Sequence, residues 1–90
     1  MSKPDWRIEQ TRQVERVLRR LPRPLLARLR AAIVELAQEP RPFGSRKLVG
    51  YANLYRIRVG DWRITYTLHD DALLILIVEV SPRGGAYRTL

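Results

Sequence analysis

The chain of 90 residues has no cysteine and a single histidine, His69. Without cysteine there is no disulfide framework, no thiolate metal ligand and no cysteine nucleophile. One histidine leaves too few ligands for a zinc site, so neither a metal nor a cofactor is expected. Long apolar runs are also missing. The longest, Ala72 to Val78, has seven residues and stops at Glu79, far short of the ~20 that span a bilayer. The amino terminus, Met1-Ser2-Lys3-Pro4-Asp5-Trp6, lacks the apolar stretch of a signal peptide, so a cytoplasmic location with no membrane partner is expected. No internal repeat, Gly/Ser linker or low-complexity tract divides the sequence. Residues 1–90 are therefore expected to form one domain around one core.

What the chain has in excess is positive charge. Seventeen Lys and Arg against nine Asp and Glu leave +8, a balance that seeks a polyanion or an acidic protein. The hydrophobic fraction of 46% is that of a folded domain rather than a disordered basic tail.

Hydrophobic periodicity predicts an α+β fold. Trp6 and Ile8 alternate within a first strand, Asp5 to Gln10. Thr11 then suits the cap of a helix whose apolar stripe is Val14, Val17, Leu18 and Leu21. Pro22 is expected to end that helix, and Pro24 to open a second with Leu25, Leu26, Leu29, Ala32, Ile33, Leu36 and Ala37 facing inward. Past Gly44 the period changes to two. Leu54 to Val59 and Trp62 to Leu68 read as a hairpin about Gly60-Asp61, and Leu73 to Val80 as a central strand apolar on both faces. Lys47 to Gly50 suggests a short edge strand. The expected order is β-α-α-β-β-β: a two-helix hairpin packed on a three- to four-stranded, mainly antiparallel sheet.

Hairpin geometry places Arg56, Arg58 and Arg63 together on the face opposite the core. Arginine stays charged at all physiological pH values and its planar fork matches phosphate oxygens. A wet face of the hairpin accounts for three arginines equally simply. However, neither hairpin strand contains a carboxylate to pair with them. Lys47 is a further candidate for a phosphate contact. After the last strand, Arg83-Gly84-Gly85-Ala86-Tyr87-Arg88 adds basic and aromatic groups to a sharply bending backbone. Tyr87 there suits stacking on a base, proton exchange, or simple anchoring of the tail. His69 beside Asp70 and Asp71 is explained by turn propensity.

Lys47-Leu48 with Gly50, the run Leu54-Tyr55-Arg56-Ile57-Arg58-Val59-Gly60-Asp61-Trp62-Arg63-Ile64-Thr65-Tyr66, and the ending Val80-Ser81-Pro82-Arg83 with Tyr87 together resemble the RelE/ParE superfamily of bacterial and archaeal toxins. The resemblance covers essentially the whole chain and is closest to the RelE-type messenger-RNA interferases. It implies a toxin of a type II toxin–antitoxin system, which acts as a metal-independent endoribonuclease on messenger RNA in the ribosomal A site. It further implies a cognate acidic, RelB-like antitoxin in a heterodimer or heterotetramer. The catalytic set it implies is Arg56, Arg58, Arg63, Arg83 and Tyr87, with Lys47, Arg56, Arg58 and Arg88 on RNA phosphates. Well-known members carry lysines where this chain has Arg56 and Arg58, which leaves those two positions unsuited to act as a general base. ParE-type members, which inhibit DNA gyrase, share the fold. A non-catalytic RNA-binding module fits the charge as well.

Overall fold

Thr11 starts the first helix by the expected means. In the computed structural model, which describes residues 5–82, the Thr11 hydroxyl accepts from the Val14 amide at 3.2 Å, satisfying one of the free donors at the helix start. Helix α1 (Arg12–Arg19) buries Val14 and Leu18 and half-buries Val17 and Leu21. It ends three residues before Pro22. The amides of Arg20 and Leu21 bond to the carbonyls of Val17 and Leu18, tightening the last turn. Helix α2 (Arg23–Leu36) follows at once, with Pro24 in its first turn and Leu29, Ile33 and Leu36 buried. Neither helix is long and apolar enough to cross a membrane.

Strands β1 (Arg7–Gln10), β2 (Arg46–Lys47), β3 (Leu54–Val59), β4 (Trp62–His69) and β5 (Leu74–Pro82) form one sheet in the order β1-β5-β4-β3-β2. The sheet thus has one strand more than the largest number expected. The edge strand begins at Arg46 and stops at Lys47, and the 48–53 loop that follows has Gly50 and Asn53 at positive φ (89° and 63°). Strand β1 runs parallel to β5, and all other pairings are antiparallel. At the β3–β4 turn Gly60 has φ +62° while Asp61 is not in the left-handed region, the pattern of a type II′ hairpin.

While β4 takes the middle of the sheet, strand β5 is interior, between β1 and β4. Its register slips at one point: Thr65 faces Glu79, yet Tyr66 faces Ile77, so Val78 is bulged out. The bulge lets Ile75 and Ile77 on one side of it and Val80 on the other all point to the helices. They complete a core with Ile64, Tyr66, Leu68 and the buried helical residues. Burying each such aliphatic side chain contributes about 1.5–3 kcal/mol. The opposite face is left to polar side chains at one end and to half-buried Leu74 and Leu76 at the other.

Candidate functional site

Register builds the site. Arg58 lies opposite Arg63, Arg56 opposite Thr65, and Arg46 opposite Arg56. Directly paired residues point to the same side of a sheet, so four arginines from three strands share the face turned away from the helices. With Gly44 and Ile57 they line an open cleft of about 400 Å³. Ser81 opposite Arg63 and Glu79 opposite Thr65 continue this face onto β5.

The charges in the cleft are unmatched. Among the described residues the ion pairs Arg7–Glu9 and Arg41–Asp70 lie elsewhere, and Glu79 forms none with the four arginines. The Nε of Arg56 is enclosed by protein and, among the described residues, has no hydrogen-bond partner. A buried donor left unpaired costs about 1–3 kcal/mol, and more when it is charged. An anionic group with several oxygens would satisfy that donor and relieve the mutual repulsion of the guanidinium groups.

A separate arginine fixes the loop that borders this cleft. Arg41 Nε donates to the Tyr55 hydroxyl at 3.2 Å, a terminal nitrogen of Arg41 reaches Asp70 Oδ1 at 3.1 Å, and the guanidinium lies 5.2 Å from the centre of the Tyr55 ring. The Tyr55 hydrogen bond first, and Asp70 second, raise the Arg41 pKa above its ordinary value. Tyr55 stacks on buried Tyr66, with ring centres 6.0 Å apart. The Tyr66 hydroxyl donates to the Pro40 carbonyl at 2.8 Å. Burial pushes the Tyr66 phenol up to about 12. Residues 40–45 are thereby tied to the sheet just before Arg46 enters it.

Of the residues expected from sequence, Arg56, Arg58 and Arg63 are together. Lys47 is not with them: it pairs with Tyr55, whose ring stacks on the core residue Tyr66, so Lys47 sits on the other face of the edge. Arg46 takes the place at the cleft. The sequence signal for it is weak, because two residues of strand give no alternation to read. Arg83, Tyr87 and Arg88 lie outside the described residues. The His69 Nε2 lies 2.9 Å from the Thr67 hydroxyl and is not paired with Asp70, whose carboxylate holds Arg41. Among the described residues no three of His, Cys, Asp and Glu converge as a metal-holding group.

A helix pair on this five-stranded sheet, with a basic cleft on the open face, is the architecture of small toxins of the RelE/ParE superfamily. The chain belongs within it to the family described as the ParE toxin of the type II toxin–antitoxin system, parDE, whose model matches residues 8–87. It is 31% identical over 86 residues to a chain of Methanocaldococcus jannaschii that carries the provisional name toxin RelE1, covering 92% of this chain and 96% of that one. The crystal structure of the archaeal RelE–RelB complex from Pyrococcus horikoshii superimposes with a TM-score of 0.80 at 33% identity, over 91% of this chain and 99% of that one. The RelB–RelE antitoxin–toxin complex from Methanococcus jannaschii gives 0.64 at 26% identity, over 82% and 88% respectively.

Proposed function

We propose that this toxin is a ribosome-dependent messenger-RNA endoribonuclease restrained by a cognate acidic antitoxin. The observation that carries the reading is the cleft itself: Arg46, Arg56, Arg58 and Arg63 surround one open volume, with no carboxylate partner and an unsatisfied Arg56 Nε among the described residues. That is a receptor for a phosphodiester. Residues 1–90 act in this reading as a single cytoplasmic domain. The similarity to a RelE chain solved with its RelB antitoxin supports a partner of that kind, in a heterodimer or heterotetramer. The charge of +8 complements an acidic one.

The chemistry follows from what arginine does. Its guanidinium holds its proton throughout, so it serves as an electrostatic group rather than a base. The RNA's own 2′-oxygen attacks the adjacent phosphorus in line, the bond from phosphorus to the 5′-oxygen breaks, and a 2′,3′-cyclic phosphate and a 5′-hydroxyl result. Arg56 and Arg63, joined by Arg83 from the carboxy-terminal segment, neutralise charge growing on the phosphoryl oxygens. Such preorganised donors are worth most where water is excluded. Arg58 and Arg46 orient the sugar-phosphate, while Arg88 and Lys47 meet phosphates farther along the strand. Tyr87 exchanges a proton with the reacting oxygens or stacks on the splayed base, and the ribosome supplies the remaining alignment.

The ParE family match favours one other reading, inhibition of DNA gyrase. Brief expression followed by mapping of message ends separates the two. Cuts within codons of ribosome-engaged messages, bearing 5′-hydroxyl ends, support the nuclease; intact messages with blocked supercoiling support the gyrase inhibitor. Tyr87→Phe keeps stacking but loses proton exchange, a loss typically worth ~10²–10⁴ in rate.

A further inference from the structure

Strand β2 pairs with β3 at Tyr55 and Arg56, and beyond Arg56 no strand among the described residues pairs with the outer edge of β3. Around that edge the arginine cleft meets a second cavity, of about 230 Å³, on the helix side of the sheet. Ile57 and Arg58 line both. The second cavity has a different chemistry. Ala32 and Leu36 of α2, Pro42, and Val59 of β3 give it apolar walls, the carboxylates of Glu35 and Glu39 line it as well, and Phe43 is part of its wall. Phe43 is wholly exposed. Its ring covers no core surface, and the next residue, Gly44, already lines the arginine cleft.

Four arginines that call for a phosphate, and an unburied aromatic ring next to them across one strand edge, are the two parts of a single-strand nucleic-acid site. Phosphates are held by the charges and bases by stacking. We propose that the cavity beside Phe43 is a nucleobase subsite. It accepts one unstacked base of the RNA strand whose phosphate lies among Arg46, Arg56, Arg58 and Arg63, and so rests on the RNA reading above. The base passes the β3 edge at Arg58 and lies against the Phe43 ring, with Ala32, Leu36 and Val59 on its other side. A protein partner would answer the apolar wall but not its continuity with a phosphate receptor.

The test uses the whole toxin and short single-stranded RNAs in which the cleavage-site 2′-hydroxyl is replaced by hydrogen and one nucleotide at a time is 2-aminopurine, whose fluorescence falls on stacking. With wild type, one position is quenched. Phe43→Ala is expected to restore its fluorescence and weaken binding roughly ten- to a hundredfold, while Phe43→Trp retains both. An RNA abasic at that position should bind wild type and Phe43→Ala equally. Because Phe43 is fully exposed, its loss leaves the melting temperature unchanged. Arg56→Ala and Arg63→Ala provide the control on the parent reading. If they weaken RNA binding and Phe43→Ala does not, the subsite is wrong and the phosphate cleft stands. If none of them changes RNA binding, the RNA reading fails first. Loss of antitoxin or other protein binding by Phe43→Ala, with RNA affinity intact, overturns the proposal in favour of a protein surface.

Discussion

Arg41 stands on the 40–45 loop and Arg56 on β3, and the two differ in what surrounds them. Arg41 has a carboxylate, a phenol and a ring face. Arg56 has other arginines for neighbours and an enclosed Nε with no hydrogen-bond partner among the described residues. The first is a solved electrostatic problem whose product is rigidity, since it pins residues 40–45 to β3 and β4. The second is left unsolved by the described residues, and in the proposed reading the phosphate oxygens of RNA solve it. Composition cannot separate the two, because both are arginines in a strongly basic chain. The count of satisfied donors can.

The comparison breaks most directly at Arg63, which belongs wholly to the second class. Arg63→Ala is expected to lower single-turnover cleavage of ribosome-bound message by ~10²–10³, the usual loss when one donor to the transition-state oxygens is removed. RNA affinity should become less salt-dependent by about one phosphate contact. The thermal midpoint should hold within experimental error, or rise as repulsion with Arg58 is relieved. A destabilised Arg63→Ala would place this arginine with Arg41 and remove the distinction.

Tyr66 tests the rigid side. Tyr66→Phe deletes the bond to the buried Pro40 carbonyl and is expected to cost about 1–2 kcal/mol. For a domain of this size that is a fall of roughly 4–15 °C in melting temperature, with the cleft arginines unchanged. It also carries a pH signature. Folding raises the Tyr66 phenol from 10.0 to about 12, so the folded state favours the protonated form. That stability is complete below pH 10 and drains away as pH climbs through 12, a loss on the order of 2–3 kcal/mol. Alkaline unfolding curves should show this drop in wild type and a shallower one in Tyr66→Phe.

Gly60 makes a smaller change near the site. Its φ of +62° suits glycine, and a Cβ there would stand 2.7 Å from a terminal nitrogen of Arg28. The Arg28 side chain can swing away, so Gly60→Ala should cost mainly the left-handed penalty of about 1–2 kcal/mol. That is measurable by denaturant melts, with little effect on the Arg58–Arg63 pair.

Much of this was legible because each element announces itself locally. Gly60-Asp61 between two alternating runs fixed the hairpin, and the hairpin fixed the common face of Arg56, Arg58 and Arg63. What stayed hidden depended on a shift of a single residue. Arg46 and Lys47 are neighbours on opposite faces, and only the closing of the 48–53 loop, with Asn53 left-handed, decides which one meets the cleft. A slip of one would exchange them. Glu79 is a similar case. Its place opposite Thr65 depends on the bulge at Val78, which no pattern of apolar residues reveals. The Arg41 clamp joins residues 14 and 29 positions apart in the chain, and such pairings are set by tertiary packing rather than local sequence.

The smallest effect sharpens the comparison furthest. Arg41→Ala removes an exposed ion pair, worth about 0.2–1 kcal/mol, and a cation–π contact worth about 0.5–1 kcal/mol at an exposed site. The two share one side chain, so the sum should be near 1 kcal/mol and should shrink in high salt as only the ion pair is screened. Pairing Arg41→Ala with Asp70→Asn in a double-mutant cycle isolates the ion pair, and what remains in the Asp70→Asn background is the contact with Tyr55. If Arg41 serves rigidity alone, its loss lowers the melting temperature by a few degrees and leaves the salt dependence of RNA binding as in wild type. A change in that salt dependence comparable with that of Arg63→Ala would mean that Arg41 meets phosphate itself, and that satisfied donors do not mark the boundary between scaffold and site.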